Sequence, residues 1–170
     1  MFRLRFPLDQ IPRWAGGYSY GDGDDRLLLE VRPLVRRRGW LTTAEFRQLC
    51  YWKTPRSQSR VRRNTGDEIR TLTRAALATA DDGLKMELLR LLHGVDWPTA
   101  STILHFCDRR PYPILDYRAL WSLGYARPPH YTMPFWLGYV GYVRDLVRRS
   151  GQPMRTVDRA LWQYSRIRQR

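Results

Sequence analysis

Lysine is almost missing from this chain: of its 30 basic residues only Lys53 and Lys85 are lysines, and the basic set faces just 16 acidic residues. The resulting charge of +14 argues against a cationic partner and points to a polyanion. Arginine's planar fork pairs with two phosphate oxygens at once and stacks on bases, so nucleic acid is the expected partner. Cysteine is scarce as well. Cys50 and Cys107 stand alone, which excludes a disulfide framework and suits two small buried thiols in a reduced compartment. Three histidines, His93, His105 and His130, have no recognisable metal spacing, so no metal and no other cofactor is expected. No apolar run approaches the roughly 18 residues of a membrane span, and the opening MFRLRFPLDQIP lacks a signal-peptide core. The reading is a soluble, cytoplasmic protein without membrane contact, nucleoid-associated if the source is bacterial. No oligomeric state is indicated.

What is present is helical. No segment alternates as a strand would, and 170 residues suffice for one compact unit with its own core. Residues 1 to 25 hold Pro7, Pro12, Gly16-Gly17 and GDGDD, and read as an irregular arm packing Trp14, Tyr18 and Tyr20. GDGDD is a solvated turn, since it lacks the ligand spacing and closing glutamate of a calcium loop. Leu27, Val31, Leu34 and Val35 share a helical face that Pro33 must kink or restart. Arg36 to Arg38 then serve either as a solvated helix end or as a phosphate contact. Thr42-x-x-Glu45 and Thr65-x-x-Glu68 are capping boxes, opening helices with Phe46, Leu49 and Cys50, and with Ile69, Leu72, Ala76 and Leu77, facing inward. Between them KTPRSQSRVRR, from Lys53 to Arg63, has five basic residues, Lys53, Arg56, Arg60, Arg62 and Arg63, and no acid. It reads as an exposed basic connector. Trp52 beside it either stacks a base or fills the core.

The stretch from Leu88 to Gly124, LLRLLHGVDWPTASTILHFCDRRPYPILDYRALWSLG, organises the rest. Leu84, Leu88, Leu91 and Leu92 share a face and Gly94 follows as a helix stop. Pro98 suits a first helical position, and Ala100, Ile103, Leu104 and Cys107 repeat behind it at helical spacing. The link GVDW allows only a tight hairpin, whose amides from Gly94 to Trp97 can face a phosphate. Downstream, Thr132 with Pro134 opens a long aromatic helix through Phe135, Tyr139, Tyr142 and Leu146, ended by Gly151. The last helix carries Val157, Leu161 and Tyr164 on one side and Arg155, Arg159, Arg166 and Arg170 elsewhere.

LLHGVDWPTASTIL resembles the hairpin of the helix-hairpin-helix DNA glycosylase superfamily, which includes endonuclease III and the alkyladenine glycosylases. Leu92, Gly94, Val95, Thr99 and Ala100 match its pattern. The family also sets an aspartate at the start of the next helix, and PILDYRALWSLG supplies Asp116 in that context, 18 residues after Pro98. Two positions depart from the pattern. Asp96 replaces a second glycine, and if that site needs positive φ an aspartate adopts it less readily. Pro98 stands where bifunctional members keep a nucleophilic lysine, so the resemblance is to the monofunctional type.

The resemblance implies an all-α, two-lobed glycosylase-like fold: a helix-hairpin-helix lobe over 41–124, and a second lobe of 1–40 with 125–170. It implies double-stranded DNA in the cleft between lobes, bound by Gly94, Val95, Asp96, Trp97 and Thr99 together with the basic connector. Asp116 would be the catalytic carboxylate that stabilises positive charge on the sugar of a flipped base. Trp52, Tyr112, Tyr117 and Trp121 are candidates for the base pocket or, equally, core aromatics. Asp116 is also a good helix N-cap, a role compatible with catalysis. The rival readings are a nucleic-acid binder of the same fold without chemistry, and a module whose aromatic C-terminal helices bind a protein.

Overall fold

The computed structural model describes residues 2–18 and 23–169, and among them no strand forms. The chain divides into two compact units, residues 1–20 with 111–170, and residues 21–110. This division differs from the expected boundaries at 40/41 and 124/125, and side-chain bonding gives the reason in each case.

In the unit of residues 21–110, α2 (Gly23–Arg26) runs through a π-helical turn, Leu27–Val31, into α3 (Arg32–Arg38). Pro33 lies near the start of α3, and the wide turn accommodates its missing N–H. That turn also advances the inward face by four residues at a time, so Leu27, Val31 and Val35 are buried while Leu34, expected to face in, is 44% exposed. Arg32 donates from Nε to the Phe106 carbonyl at 3.0 Å and from Nη2 to the His105 carbonyl at 2.9 Å. Arg36 donates to the Asp108 carbonyl at 2.5 Å. Residues 27–38 are thereby joined to this unit. Of GDGDD, Gly21 and Asp22 lie outside the described residues, and Gly23 begins α2 rather than continuing a turn.

Both capping boxes form, at the starts of α4 (Thr43–Lys53) and α6 (Gly66–Ala78), with the Thr42 and Thr65 hydroxyls accepting from the Glu45 and Glu68 amides. Glu68 also accepts from the Thr65 amide and hydroxyl, which holds its carboxyl below the usual range. Phe46, Leu49, Cys50, Ile69 and Ala76 are buried as expected. The stretch after Lys53 is not an open connector. It folds as a 3-10 turn (Pro55–Ser57) and α5 (Gln58–Val61), because Ser57 and Val61 bury inward while Arg56, Arg60, Arg62 and Arg63 remain exposed.

Asp81 caps α7 (Asp82–Arg90) by accepting from the Leu84 amide at 2.8 Å, and a turn over 91–96 leads into α8 (Trp97–Cys107). Of the leucine stripe only Leu92 is buried. Leu84 and Leu91 are 49% and 67% exposed, and the inner face of α7 carries Lys85, Met86 and Leu89. Lys85 sets that phase, since its buried Nζ bonds Asp108 Oδ2 at 2.5 Å and the Ala76 and Leu77 carbonyls at 3.1 and 3.5 Å. α8 is buried on every side, with only Pro98 less than fully enclosed. Burial pushes the Cys50 thiol up to about 12 and the Cys107 thiol higher still.

In the other unit, α1 (Ile11–Gly16), α9 (Tyr117–Ser122) and α10 (Met133–Ser150) pack on α11 (Met154–Arg168). Thr132 caps α10 and Gly151 ends it at φ +68°, as its sequence predicts. Residues 111–124 belong here because Ser122 Oγ donates to the Leu161 carbonyl at 2.5 Å, and the amides of Arg3 and Arg5 donate to the Leu123 and Ser122 carbonyls at 2.9 Å. The N-terminal segment packs aromatics as expected, but it does so through a helix. Trp14, on α1, meets Tyr164 edge-on at 4.9 Å, and Tyr18 meets Trp162 at 5.3 Å, while Tyr20 lies outside the described residues. Among the described residues no helix is long and apolar enough to cross a membrane.

Two outcomes follow from the interior of the 21–110 unit. Lys85→Met strands the Asp108 carboxylate, so urea unfolding should show a loss of about 3–5 kcal/mol, against less than about 0.5 kcal/mol for exposed Arg149→Gln. Cys50 and Cys107 are expected to resist a disulfide reagent at pH 8 in the native protein and to react fully in denaturant, because only the thiolate attacks.

Candidate functional site

The 91–96 turn is fixed from two sides. Gly94 has φ +78°, and a Cβ there would come within 2.9 Å of Val61 Cγ2, 3.0 Å of the Val61 amide nitrogen and 3.2 Å of Arg60 Cβ. Glycine is required both by the left-handed backbone and by this close approach. Asn64, 5% exposed, accepts from the His93 amide at 2.8 Å and donates to the His93 and Val61 carbonyls at 2.9 and 2.8 Å. Its side chain thus ties the turn to the end of α5. Sequence pattern did not single out Asn64, because no periodicity or cap marks a residue whose partners lie 29 positions away.

The structure brings the basic stretch against this turn. Arg60 flanks Gly94 directly, and exposed Arg62 and Arg63 follow within the same bend. Arg56 and Lys53 sit about one and two turns earlier, Arg56 exposed and Lys53 half-buried at the end of α4. Thr54 and Thr99 hydroxyls are 3.3 Å apart, which links the start of this stretch to α8.

The amides expected to receive an anion are partly committed. Val95 N–H donates to the Leu92 carbonyl at 3.1 Å and Trp97 N–H to Asp96 Oδ1 at 2.8 Å. Asp96 has φ −119° and ψ −177°, so it needs no left-handed backbone, and it caps α8 with its own carboxylate. Its charge is partnered: Arg90 Nε lies 3.4 Å from Asp96 Oδ1, and the same guanidinium stacks 4.2 Å over the Trp97 ring. Val95, Trp97 and Thr99 are themselves buried, leaving Asp96 and the neighbouring arginines as the exposed chemistry.

Asp116 lies in the other unit, at the N-cap of α9, where Oδ1 accepts from the Arg118 amide at 2.9 Å. The loop before it is held at Ile114. The buried Tyr139 hydroxyl donates to the Ile114 carbonyl at 2.8 Å, and Ile114 N–H donates to Asp158 Oδ1 at 2.9 Å. Arg155 in turn donates to Asp158 Oδ2 at 2.5 Å. Burial, with the negative charges of Asp158 and Asp116 behind it, raises the Tyr139 phenol well above its ordinary value, so it stays a donor. Asp116 is half-buried, a carboxylate positioned by its cap and by the rigid loop ahead of it.

The aromatic candidates separate. Tyr112 is fully buried, stacked on Trp136 at 6.1 Å with Arg144 at 4.6 Å over its ring, and so belongs to the core, not to a base pocket. Trp52 is half-buried, edge-on to Phe106 at 5.3 Å, in the 21–110 unit. Tyr117 is 46% exposed beside Asp116. Trp121 lines a cleft of about 440 Å³ with Arg3, Leu4, Arg5, Gly124 and Tyr164, and the Arg5 guanidinium covers its ring at 4.5 Å. Among the described residues no three His, Cys, Asp or Glu side chains gather as a metal site would require.

Gly94→Ala is expected to lower stability by about 2–3 kcal/mol in urea unfolding, since it combines left-handed strain with overlap at Val61. Compared with models of known protein families, with curated proteins and with solved structures, the chain matches none.

Proposed function

We propose that the chain binds double-stranded DNA, with α7, the 91–96 turn and α8 acting as a helix-hairpin-helix, and that it is a monofunctional DNA glycosylase-like enzyme. The observation that carries the binding reading is the packing of the basic stretch on the turn: Arg60 and Val61 lie so close to Gly94 that no Cβ fits there, and Arg62 and Arg63 follow exposed. Several guanidiniums beside a rigid turn neutralise successive phosphates of a duplex backbone. With Val95 and Trp97 amides engaged internally, the arginine side chains supply most of the phosphate contact and the turn supplies its shape.

Asp116 serves the sugar in this reading. As the bond from the anomeric carbon to the base nitrogen breaks, its electron pair leaves with the base and positive charge develops on the sugar. A fixed carboxylate stabilises that charge and orients the water whose oxygen then bonds to the anomeric carbon. Pro98 occupies the second position of α8 and offers no amine, so no imine to the sugar forms there. Tyr117 and Trp121 are the aromatics available to the flipped base near Asp116 in sequence, with Arg5 needing to swing from the Trp121 face.

A second reading is favoured by the bond from the Arg118 amide to Asp116: a cap sufficient in itself, in a DNA-binding protein without base-release chemistry. Asp116→Asn separates the two, because asparagine caps nearly as well and carries no charge. Under the first reading wild type prefers a duplex with one cationic abasic-sugar analogue over the unmodified duplex by about tenfold or more, and Asp116→Asn loses that preference. Equal binding of both duplexes by both proteins would leave the DNA-binding reading alone. In the same titrations, replacing Arg60, Arg62 and Arg63 together by glutamine should reduce the slope of log K against log salt by about 2 to 3. An unchanged slope would remove this surface from the interface.

A further inference from the structure

A second concentration of arginine lies in the 21–110 unit, at the opposite end of α8 from the turn, roughly 16 Å along a helix of this length. There α3, α6 and α8 all end around a cleft of about 620 Å³. Cations are expected at three helix C-termini, where they meet unpaired carbonyls. That role accounts for some of the basic groups here. Lys85 takes the Ala76 and Leu77 carbonyls and the Asp108 carboxylate. Arg38 pairs with Glu45, and Arg110 with Asp82 at 2.8 Å.

It accounts only in part for Arg36 and Arg109, and not for Arg37 and Arg74. Arg37 and Arg74, both exposed at the cleft, have neither a carboxylate nor a carbonyl partner among the described residues. Arg109 makes one long bond, 3.3 Å to the Arg36 carbonyl. Arg36 bonds the Asp108 carbonyl through Nη2, yet its Nε is buried with no acceptor among the described residues. Four arginines therefore line one cleft with no carboxylate among the described residues in ion-pair range, and one of them keeps a buried donor unsatisfied. Such an arrangement repels itself unless an oxyanion joins it. Phosphate, with several acceptor oxygens and multiple charge, matches a set of forked donors better than a single carboxylate does. The rest of the wall is mixed: Val35, Leu77 and Ala78 are apolar, and Asp108, the one acid there, has its carboxylate taken by Lys85. The volume falls in the range of about 300–1,000 Å³ typical of small-molecule sites.

We propose that this cleft is a phosphate-binding site, separate from the 91–96 turn, in which Arg36, Arg37, Arg74 and Arg109 hold a multiply charged phosphate group. The group comes either from a free phosphorylated small molecule or from a nucleic-acid backbone. Calorimetric titration with inorganic tripolyphosphate tests the site, at about 50 mM and about 200 mM salt. The proteins compared are wild type, Arg37→Gln with Arg74→Gln, and a control in which Arg148 and Arg149, paired with Asp145, are both changed to glutamine. Wild type and control should bind one tripolyphosphate saturably, and the Arg37/Arg74 variant should bind about tenfold more weakly with an unchanged melting temperature. Absence of saturable binding, or equal weakening in both double variants, overturns the proposal.

A labelled duplex identifies the source. If tripolyphosphate competes with the duplex and the Arg37/Arg74 variant loses duplex affinity, the phosphate is that of a nucleic-acid backbone. If duplex affinity is untouched while tripolyphosphate binding falls, the cleft takes a free phosphorylated ligand.

Discussion

Helix α8 is buried on all sides, so its terminal peptide groups must find partners inside the protein, and the side chains that supply them fix the 21–110 unit. At the N-terminal end Asp96 takes the Trp97 amide. At the C-terminal end Arg32 takes the carbonyls of His105 and Phe106, Arg36 takes that of Asp108, and the Asp108 carboxylate takes Lys85. These partners come from α3, from α7 and from the turn before α8. Satisfying one helix therefore orders α3, α7 and the chain after α8 together, and it leaves charge gathered at both ends.

The two ends differ in kind. Around the 91–96 turn the arginines project from a compact bend closed by Asn64, and the local acid, Asp96, is already matched by Arg90. At the far end the basic groups first satisfy carbonyls, and only the surplus faces outward. A surface built of flexible, exposed guanidiniums suits a long polyanion contacted at many points, whereas a walled cleft with a buried donor suits one phosphate group. Arginine suits both settings because a guanidinium can bond a carbonyl through one N–H and still present others outward.

The other unit shows how a carboxylate is placed by bonds to the loop ahead of it. Asp116 follows a loop whose Ile114 peptide is bonded at both its N–H and its C=O, by Asp158 and Tyr139. The Asp158 carboxylate is in turn steadied by Arg155. Positioning thus rests on α10 and α11, far along the chain from the residue they position. Neutral Tyr139, a hydrogen-bond donor raised in pKa by its surroundings, keeps this arrangement intact across the ordinary pH range.

Local signals were readable in the chain wherever the physics is local. The two capping boxes, the Asp116 cap, Thr132 and Gly151 all depend on partners within a few residues, and each took the backbone conformation its sequence demands. The all-helical class followed from periodicity alone. What needed three dimensions were choices settled by distant partners. Buried Lys85 turned α7 so that Leu84 and Leu91 face out, because an ion pair to Asp108 outweighs a leucine stripe. Val61 pulled the basic stretch into a helical turn against Gly94, and Trp136 drew Tyr112 into the core. Residues 21–40 and 111–124 changed allegiance for the same reason, since hydrogen bonds across 70 or more positions, such as Arg32 to Phe106, leave no trace in local spacing.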